Sequence, residues 1–225
     1  MSDEASSPPP DETLVDALDR YSIQLSPEMI DAMDEYRKLL WSWNEKINLT
    51  RHTTMDKFVG RDILDSLQFA DCLGMDETVL DVGSGGGVPG ILLKIMRSDL
   101  RVTVLDQTEK KIQVLSKIIK EMKLAMKVER ARLQDFLPEC QGLSYNTLTF
   151  RAVAPIPKVL RWTTGQWGKF NRLLIMKGSN WQKECDEAKD LNLTKRLIIQ
   201  RVKEFDVPNT EFQSVILEMK PSHRG

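Results

Sequence analysis

In VLDVGSGGGVPG, residues 79–90, five glycines and a proline stand directly behind a short apolar run. Residues without a Cβ, gathered in one place, let the backbone approach something closely or take φ values that side chains oppose. The run ahead of them, ETVLDV (77–82), reads as a short buried strand, and the stretch behind (89–96) reads as a helix with Pro89 at its first position. Strand, glycine turn and helix together open a βαβ unit. At such a turn the backbone N–H groups and the positive end of the helix dipole are free to receive a ligand. The alternative, a tight turn with no ligand, remains open from these residues alone.

The rest of the chain follows the same alternation. RVTVLD (101–106) predicts a second strand, and residues 109–122 predict a helix with Ile112, Leu115, Ile119 and Met122 on one face. KVERA (127–131), NTLTF (146–150) and RLLIMKG (172–178) predict three more strands. Short apolar strands alternating with helices imply an α/β fold with a mostly parallel sheet covered on both faces. A polar helical stretch follows Asn180. RLIIQRVKEF (196–205) and FQSVILEM (212–219), joined through Pro208 and Asn209, then predict an antiparallel pair at a sheet edge.

The first 75 residues differ in kind. Helices are expected over 12–21, over 26–43 and over 55–73, the last with Phe58, Ile63, Leu67 and Ala70 inward. The second has Ser26 as its cap, Pro27 at its first position and a stripe of Met29, Met33, Tyr36, Leu40 and Trp43. The expected organisation is a disordered leader at 1–11, an N-terminal helical segment at 12–75 and a ligand-binding α/β domain at 76–220. The acidic, Ser/Pro-rich leader lacks the apolar core of a secretion signal, and no window approaches the roughly 18 apolar residues of a membrane span. A cytoplasmic protein without membrane contact is expected.

Cys72, Cys140 and Cys185 are far apart and form no CxxC pair, and His52 and His223 are the only histidines. Neither a disulfide framework nor a metal site is indicated. The formal net charge of −1 hides an asymmetry: residues 1–40 carry ten acids and three bases, residues 109–132 eight bases and three acids, and residues 158–203 eleven bases and four acids. Two basic stretches in the α/β half favour a polyanionic partner over a merely solvated face.

Two registers of the glycine turn compete for the ligand. Gly85 to Gly90 fits G-x-G-x-x-G, the dinucleotide pattern, which is weak in so glycine-rich a segment. Asp81-Val82-Gly83-Ser84-Gly85-Gly86-Gly87 fits D-x-G-x-G-x-G, the pattern of class I S-adenosylmethionine (SAM) methyltransferases. The second register uses Asp81, whose carboxylate can hold a cationic amino group directly or through water. A pyrophosphate would meet that carboxylate as a second anion. SAM carries an ammonium and a sulfonium and no phosphate, so it suits the mixed loop better. Asp106, at the end of the second strand, is placed to accept from both ribose hydroxyls, a feature shared with NAD enzymes.

With WNEKINLT (43–50), ILDSL (63–67), DVGSGGGVPG (81–90), VLDQTEKKIQVL (104–115) and FRAVA (150–154), the chain resembles the RsmG (GidB) family, over residues 36–178 and in order. The resemblance implies a Rossmann-like methyltransferase fold with a helical N-terminal segment, and methylation of guanine N7 in 16S ribosomal RNA. It implies that Gly83 and Val88 contact SAM, that Leu133 and Gln134 flank its adenine, and that Arg151 faces cofactor and substrate. Together with Asp81, Gly85, Gly87 and Asp106 these form the expected cofactor set. Lys110, Lys111, Arg132 and Lys177 are the expected RNA contacts. The partner implied is 16S rRNA or a precursor of the small ribosomal subunit, met by a monomer. The chain departs from the family in having Asp62 where a histidine is usual, and Phe150 and Val153 around the arginine. It also has Lys110-Lys111 where the family has a lysine-arginine pair.

Guanine N7 has an in-plane lone pair and needs no deprotonation, so no general base is expected; Arg151 would position rather than transfer protons. The work is alignment and exclusion of water. No [DNS]-P-P-[YF] segment is present to hold an adenine amino group, and no Pro-Cys or Thr-Cys pair offers a nucleophile for cytosine C5. An unstacked guanine needs a planar neighbour, for which Arg151 with Phe150 or a tryptophan is available. Competing readings are a SAM-dependent methyltransferase of a small molecule or protein, an NAD(P)-binding oxidoreductase, and a non-catalytic RNA-binding module.

Overall fold

A computed structural model describes residues 12–222. The expected leader at 1–11 lies outside the described residues. Helix α1 (Leu14–Arg20) starts in a reciprocal cap: Thr13 accepts from the Asp16 N–H while the Asp16 carboxylate accepts from the Thr13 N–H. Ser26 caps α2 (Pro27–Asn44) by accepting from the Met29 N–H. Of the predicted stripe on α2, Met33, Tyr36 and Leu40 are fully buried and Met29 and Trp43 half-buried.

The helix predicted over 55–73 is broken in a specific way. It runs as α3 (Met55–Lys57), a π-helical turn (Phe58–Ile63) and α4 (Leu64–Asp71). A π turn adds one residue to the helix and shifts which side chains share a face. Here it turns Phe58, Val59, Asp62 and Ile63 inward, and Asp65 follows in the first turn of α4.

The remaining strands and helices form one seven-stranded sheet. β1 (Thr78–Val82), β2 (Arg101–Asp106), β3 (Lys127–Arg130), β4 (Tyr145–Arg151) and β5 (Phe170–Lys177) are parallel; β6 (Leu197–Asp206) and β7 (Gln213–Pro221) form an antiparallel hairpin. The order is β3-β2-β1-β4-β5-β7-β6, with β7 antiparallel to β5. The mostly parallel sheet with an antiparallel edge pair is as expected. Between strands lie α5 (Gly90–Met96), α6 (Glu109–Glu121), α7 (Leu133–Glu139), α8 (Ile156–Thr163) and α9 (Trp181–Asp190). Helices α7 and α8 escaped the sequence pattern. Each is a turn or two long, the first holds Pro138 and the second opens on Pro155 and Pro157, so neither shows a sustained 3.6-residue period.

Strand side chains alternate between the two faces of the sheet. Val79 and Val104 meet α5 and α6 and the N-terminal helices in one core; Leu80, Leu148 and Leu217 meet α7, α8 and α9 in the other. The helical segment and the sheet therefore share a core: Leu18, Tyr36, Phe58 and Phe69 pack in the same cluster as Ile91 and Leu115. Register places Val82 beside Leu105 and Phe150, so Gly83, Asp106 and Arg151 emerge at one edge of the sheet, where open α/β sheets bind ligands.

Candidate active site

The glycine loop is shaped from both sides. On the sheet side, the N–H groups of Gly83 and Ser84 donate to the Leu105 carbonyl at 2.8 and 3.1 Å, and Ser84 Oγ donates to the Asp81 carbonyl at 2.8 Å. Gly87 has φ +104°, and a Cβ there would lie 2.6 Å from Ile91 Cδ1. A Cβ on Gly90 would lie 2.9 Å from the Asp81 carboxylate. On the outer side, the Tyr36 hydroxyl donates to the Gly86 carbonyl at 2.7 Å, with Leu40 and Leu49 packed against the same glycine. Asn44 explains the WNEKINLT stretch. Its Oδ1 accepts from the N–H groups of Leu49 and Thr50 at 2.8 and 3.0 Å, folding the chain back so that Leu49 reaches the loop.

Asp81 is 1% exposed. Its Oδ2 accepts from the Gly90 N–H at 3.1 Å and its Oδ1 from the Thr149 hydroxyl at 3.0 Å. Burial drives its pKa up, against the hydrogen bonds from Ser84, Thr149 and Gly90, to about 6. Each oxygen meets a protein donor and the residue is absent from the lining of the cleft described below, so this acid braces the loop against the helix behind it. Asp106 is different. Its Oδ2 accepts from the Gly85 N–H at 3.0 Å and its Oδ1 from the Thr108 N–H at 2.8 Å, and it also lines a cleft.

That cleft, about 490 Å³, opens at the carboxyl ends of β1 to β4. Of the residues expected to contact SAM, Gly83, Asp106, Leu133 and Gln134 line it. Asp81, Gly85, Gly87 and Val88 are not among its lining residues. Lys111, Arg132, Lys158 and Trp162 also border the cleft, whereas Lys110 is exposed on α6 outside it.

A second cavity, about 630 Å³, adjoins the first, and Ala152 belongs to the walls of both. Arg151 lies in it, held by two buried acids: Nε donates to Asp65 Oδ2 at 2.8 Å and Nη2 to Asp62 Oδ1 at 2.7 Å. Burial lowers the Arg151 pKa, but the two carboxylates outweigh it and hold the guanidinium above its ordinary value. Burial, opposed by Arg151 and Arg61, leaves the Asp65 carboxyl above its ordinary value. His52 Nδ1 lies 2.7 Å from the same Asp62 oxygen and borders the cavity. Asp65 of ILDSL, with Asp62 just before that stretch, and Arg151 of FRAVA thus form one ion cluster, 86 to 89 residues apart in sequence.

Two expectations change here. Lys177 is not a free phosphate contact: its Nζ donates to the Ala154 carbonyl and pairs with Glu184 Oε2, both at 2.7 Å. Phe150 cannot stack on a base, because it is 1% exposed in the core under the sheet. Asp62 is buried in the Arg151 cluster. His52, unremarkable in sequence, sits on the cavity wall; no local motif marks it, since its partner is ten residues away across a turn. Trp43, of the predicted stripe, lies under Lys117, and its neighbour Trp41 donates through Nε1 to the His52 carbonyl. Phe212 was also missed. It stands 64% exposed at the cavity rim, on a β6–β7 loop tied down by Asn209 through Tyr21 and Asp56. Among the described residues no cluster of acids, histidines and cysteines is arranged to hold a metal, and no helix is long and apolar enough to cross a membrane.

The strand order, the antiparallel last pair and a glycine turn after β1 define a class I SAM-dependent methyltransferase fold. The fold is shared with a solved 16S rRNA methyltransferase, RmtF, crystallised with S-adenosyl-L-homocysteine (TM-score 0.56, 15% identity, covering 86% of this chain and 76% of that one). The family model GidB, rRNA small subunit methyltransferase G, matches residues 29–213. Proteins named ribosomal RNA small subunit methyltransferase G are similar as well. That of Rhodopirellula baltica is 39% identical, covering 83% of this chain and 79% of that one; that of Desulfitobacterium hafniense is 32% identical, covering 90% and 86%. The chain belongs to the GidB family of small-subunit rRNA methyltransferases.

Proposed function

We propose that this chain transfers the methyl group of SAM to N7 of a guanine in 16S rRNA, with the cofactor in the 490 Å³ cleft and the base in the 630 Å³ cavity. The observation that carries the reading is that these two cavities meet at Ala152, between Gly83 of the glycine loop and Arg151. Asp106 would hold the ribose hydroxyls on lone pairs left beside its bonds to Gly85 and Thr108, with Leu133 and Gln134 against the adenine. SAM supplies an electrophilic methyl on a sulfonium. The N7 lone pair forms the new C–N bond as the C–S bond electrons return to sulfur, so no proton moves in this step and no side chain needs to act as a base. The residues contribute alignment, a water-poor wall and charge placement.

Lys111, Arg132 and Lys158 line the cofactor side of this junction and would meet phosphates of a large RNA, giving an affinity that falls with salt. The chain acts as a monomer in the cytoplasm on small-subunit rRNA. Mass-spectrometric mapping of 16S rRNA from a deletion strain, with and without a plasmid-borne copy, tests the reading. Loss and recovery of one 7-methylguanosine is the expected result, and an unchanged level refutes it.

A further inference from the structure

The Arg151 cluster has more acceptor capacity than the protein uses. Asp62 and Asp65 are each 1% exposed, yet each gives only one oxygen to a donor. Asp62 Oδ2 is buried with no partner among the described residues. Asp65 Oδ1 takes no hydrogen bond there either, and Asp65 forms part of the cavity wall. Arg151, on the same wall, donates through Nε and Nη2 and leaves Nη1 without an acceptor. The buried orphan, Asp62 Oδ2, lies off the cavity lining, whereas the unused Asp65 Oδ1 and Arg151 Nη1 belong to residues of the cavity wall, an acceptor and a donor side by side that a ligand can engage.

We propose that Asp65 and Arg151 together read the Watson–Crick edge of the target guanine, Asp65 accepting from N1–H and the N2 amino group and Arg151 donating to O6. This rests on the function proposed above and specifies how its base is chosen. A guanidinium donor beside a carboxylate acceptor matches guanine, which presents an acceptor at O6 and donors at N1 and N2. Adenine presents a donor at position 6 and an acceptor at N1, so both contacts would be repulsive. The arrangement also leaves N7 free, on the Hoogsteen edge beyond O6, and Ala152 links this wall to the cofactor cleft. A carboxylate on N1–H has a second effect. Methylation places positive charge on the purine, which makes N1–H a stronger donor, so the contact tightens as the reaction proceeds.

The test uses small subunits reconstituted with 16S rRNA ligated to carry guanosine, inosine or 7-deazaguanosine at the methylated position, and methyl transfer from labelled SAM. Inosine keeps O6, N1–H and N7 but lacks the N2 amino group. Wild-type kcat/KM on inosine should fall by roughly tenfold or more, as expected for loss of a hydrogen bond to a charged acceptor. Asp65→Asn should lose about a hundredfold on guanosine, and its guanosine-to-inosine ratio should collapse towards one, which a merely structural defect would not do. Asp62→Asn, which changes an acid placed behind the arginine, should retain the wild-type ratio whatever its overall rate. Equal wild-type rates on guanosine and inosine would overturn the proposal and leave the proposed function standing. Methylation of 7-deazaguanosine would overturn the proposed function itself. If Asp65→Asn fails to fold because Arg151 loses its partner, the wild-type comparison of the two bases decides alone.

Discussion

Replacing Asp81 by asparagine should make the folded protein more stable at neutral pH, and the structure gives the size of the effect. The carboxyl titrates near 3.8 in an unfolded chain and at about 6 in its buried site. A carboxyl whose folded pKa is the higher one adds stability below about pH 3.8 and loses it as the pH rises through about 6. The difference corresponds to about 3 kcal/mol across that window, as an upper figure. Asparagine carries no charge to desolvate and fits the same partners. Its Oδ1 can accept from the Gly90 N–H, and its Nδ2 can donate to the Thr149 hydroxyl, which has free lone pairs. At pH 7.5 the variant should melt roughly 6–12 °C above wild type, at ~2–4 °C per kcal/mol for a chain of this size. At pH 4 the gap should close. Thermal unfolding followed by circular dichroism from pH 4 to 8 checks this. A gap that stays constant across the range would refute the assignment of the buried charge to Asp81. Calorimetric titration of the same variant with SAM examines the acid's other reading. Because the carboxyl is buried and off the cleft lining, affinity should fall less than tenfold; a loss near a hundredfold would mean that the carboxylate holds the cofactor's ammonium itself.

Tyr36→Phe removes the only hydrogen bond described for the buried Gly86 carbonyl and should cost about 1–3 kcal/mol, with weaker SAM binding as the loop loosens; urea unfolding and calorimetry measure both. Gly87→Ala must fit a Cβ 2.6 Å from Ile91 on a backbone at φ +104°, and should lower stability by at least ~1–3 kcal/mol; an unchanged urea midpoint would refute the packing argument. Phe212→Ala touches an exposed rim and should leave unfolding within ~0.5 kcal/mol of wild type, while kcat/KM on small subunits drops several-fold. An unaffected rate would show that the ring does not meet the RNA.

The glycine turn, the strand sequence and the edge pair could be read from the chain because each is a local pattern: period-two apolar runs, clustered glycines, and a proline at a helix start. Asp106 stands at the end of a strand that the pattern finds, whereas Gly83, Leu133 and Gln134 were expected through the family resemblance; all four line the cleft. The Arg151 cluster was legible only in half. Arg151 stands at a strand end, but its partners lie on a helix whose π turn departs from 3.6-residue spacing, so periodicity cannot say that Asp62 and Asp65 face inward. Lys177 looked like any basic residue after a strand, since its partner Glu184 belongs to the following helix. Phe150 looked available for stacking because sequence alone does not say which face of a central strand carries a given ring. Asp81 belongs with these: a carboxylate ahead of a glycine loop reads as a ligand group until its donors are seen.

The hydroxyl that Tyr36 places on the Gly86 carbonyl has a bearing on how this protein can be rebuilt or can diverge. A chimera cut at residue 76, with a methyltransferase core joined to a foreign leader, would inherit a glycine loop stripped of its outer wall. The smallest transplantable unit therefore starts no later than Pro27, where α2 begins. For the same reason drift in the loop and drift in α2 must proceed in step, so descendants of this chain are expected to exchange the two as one heritable block.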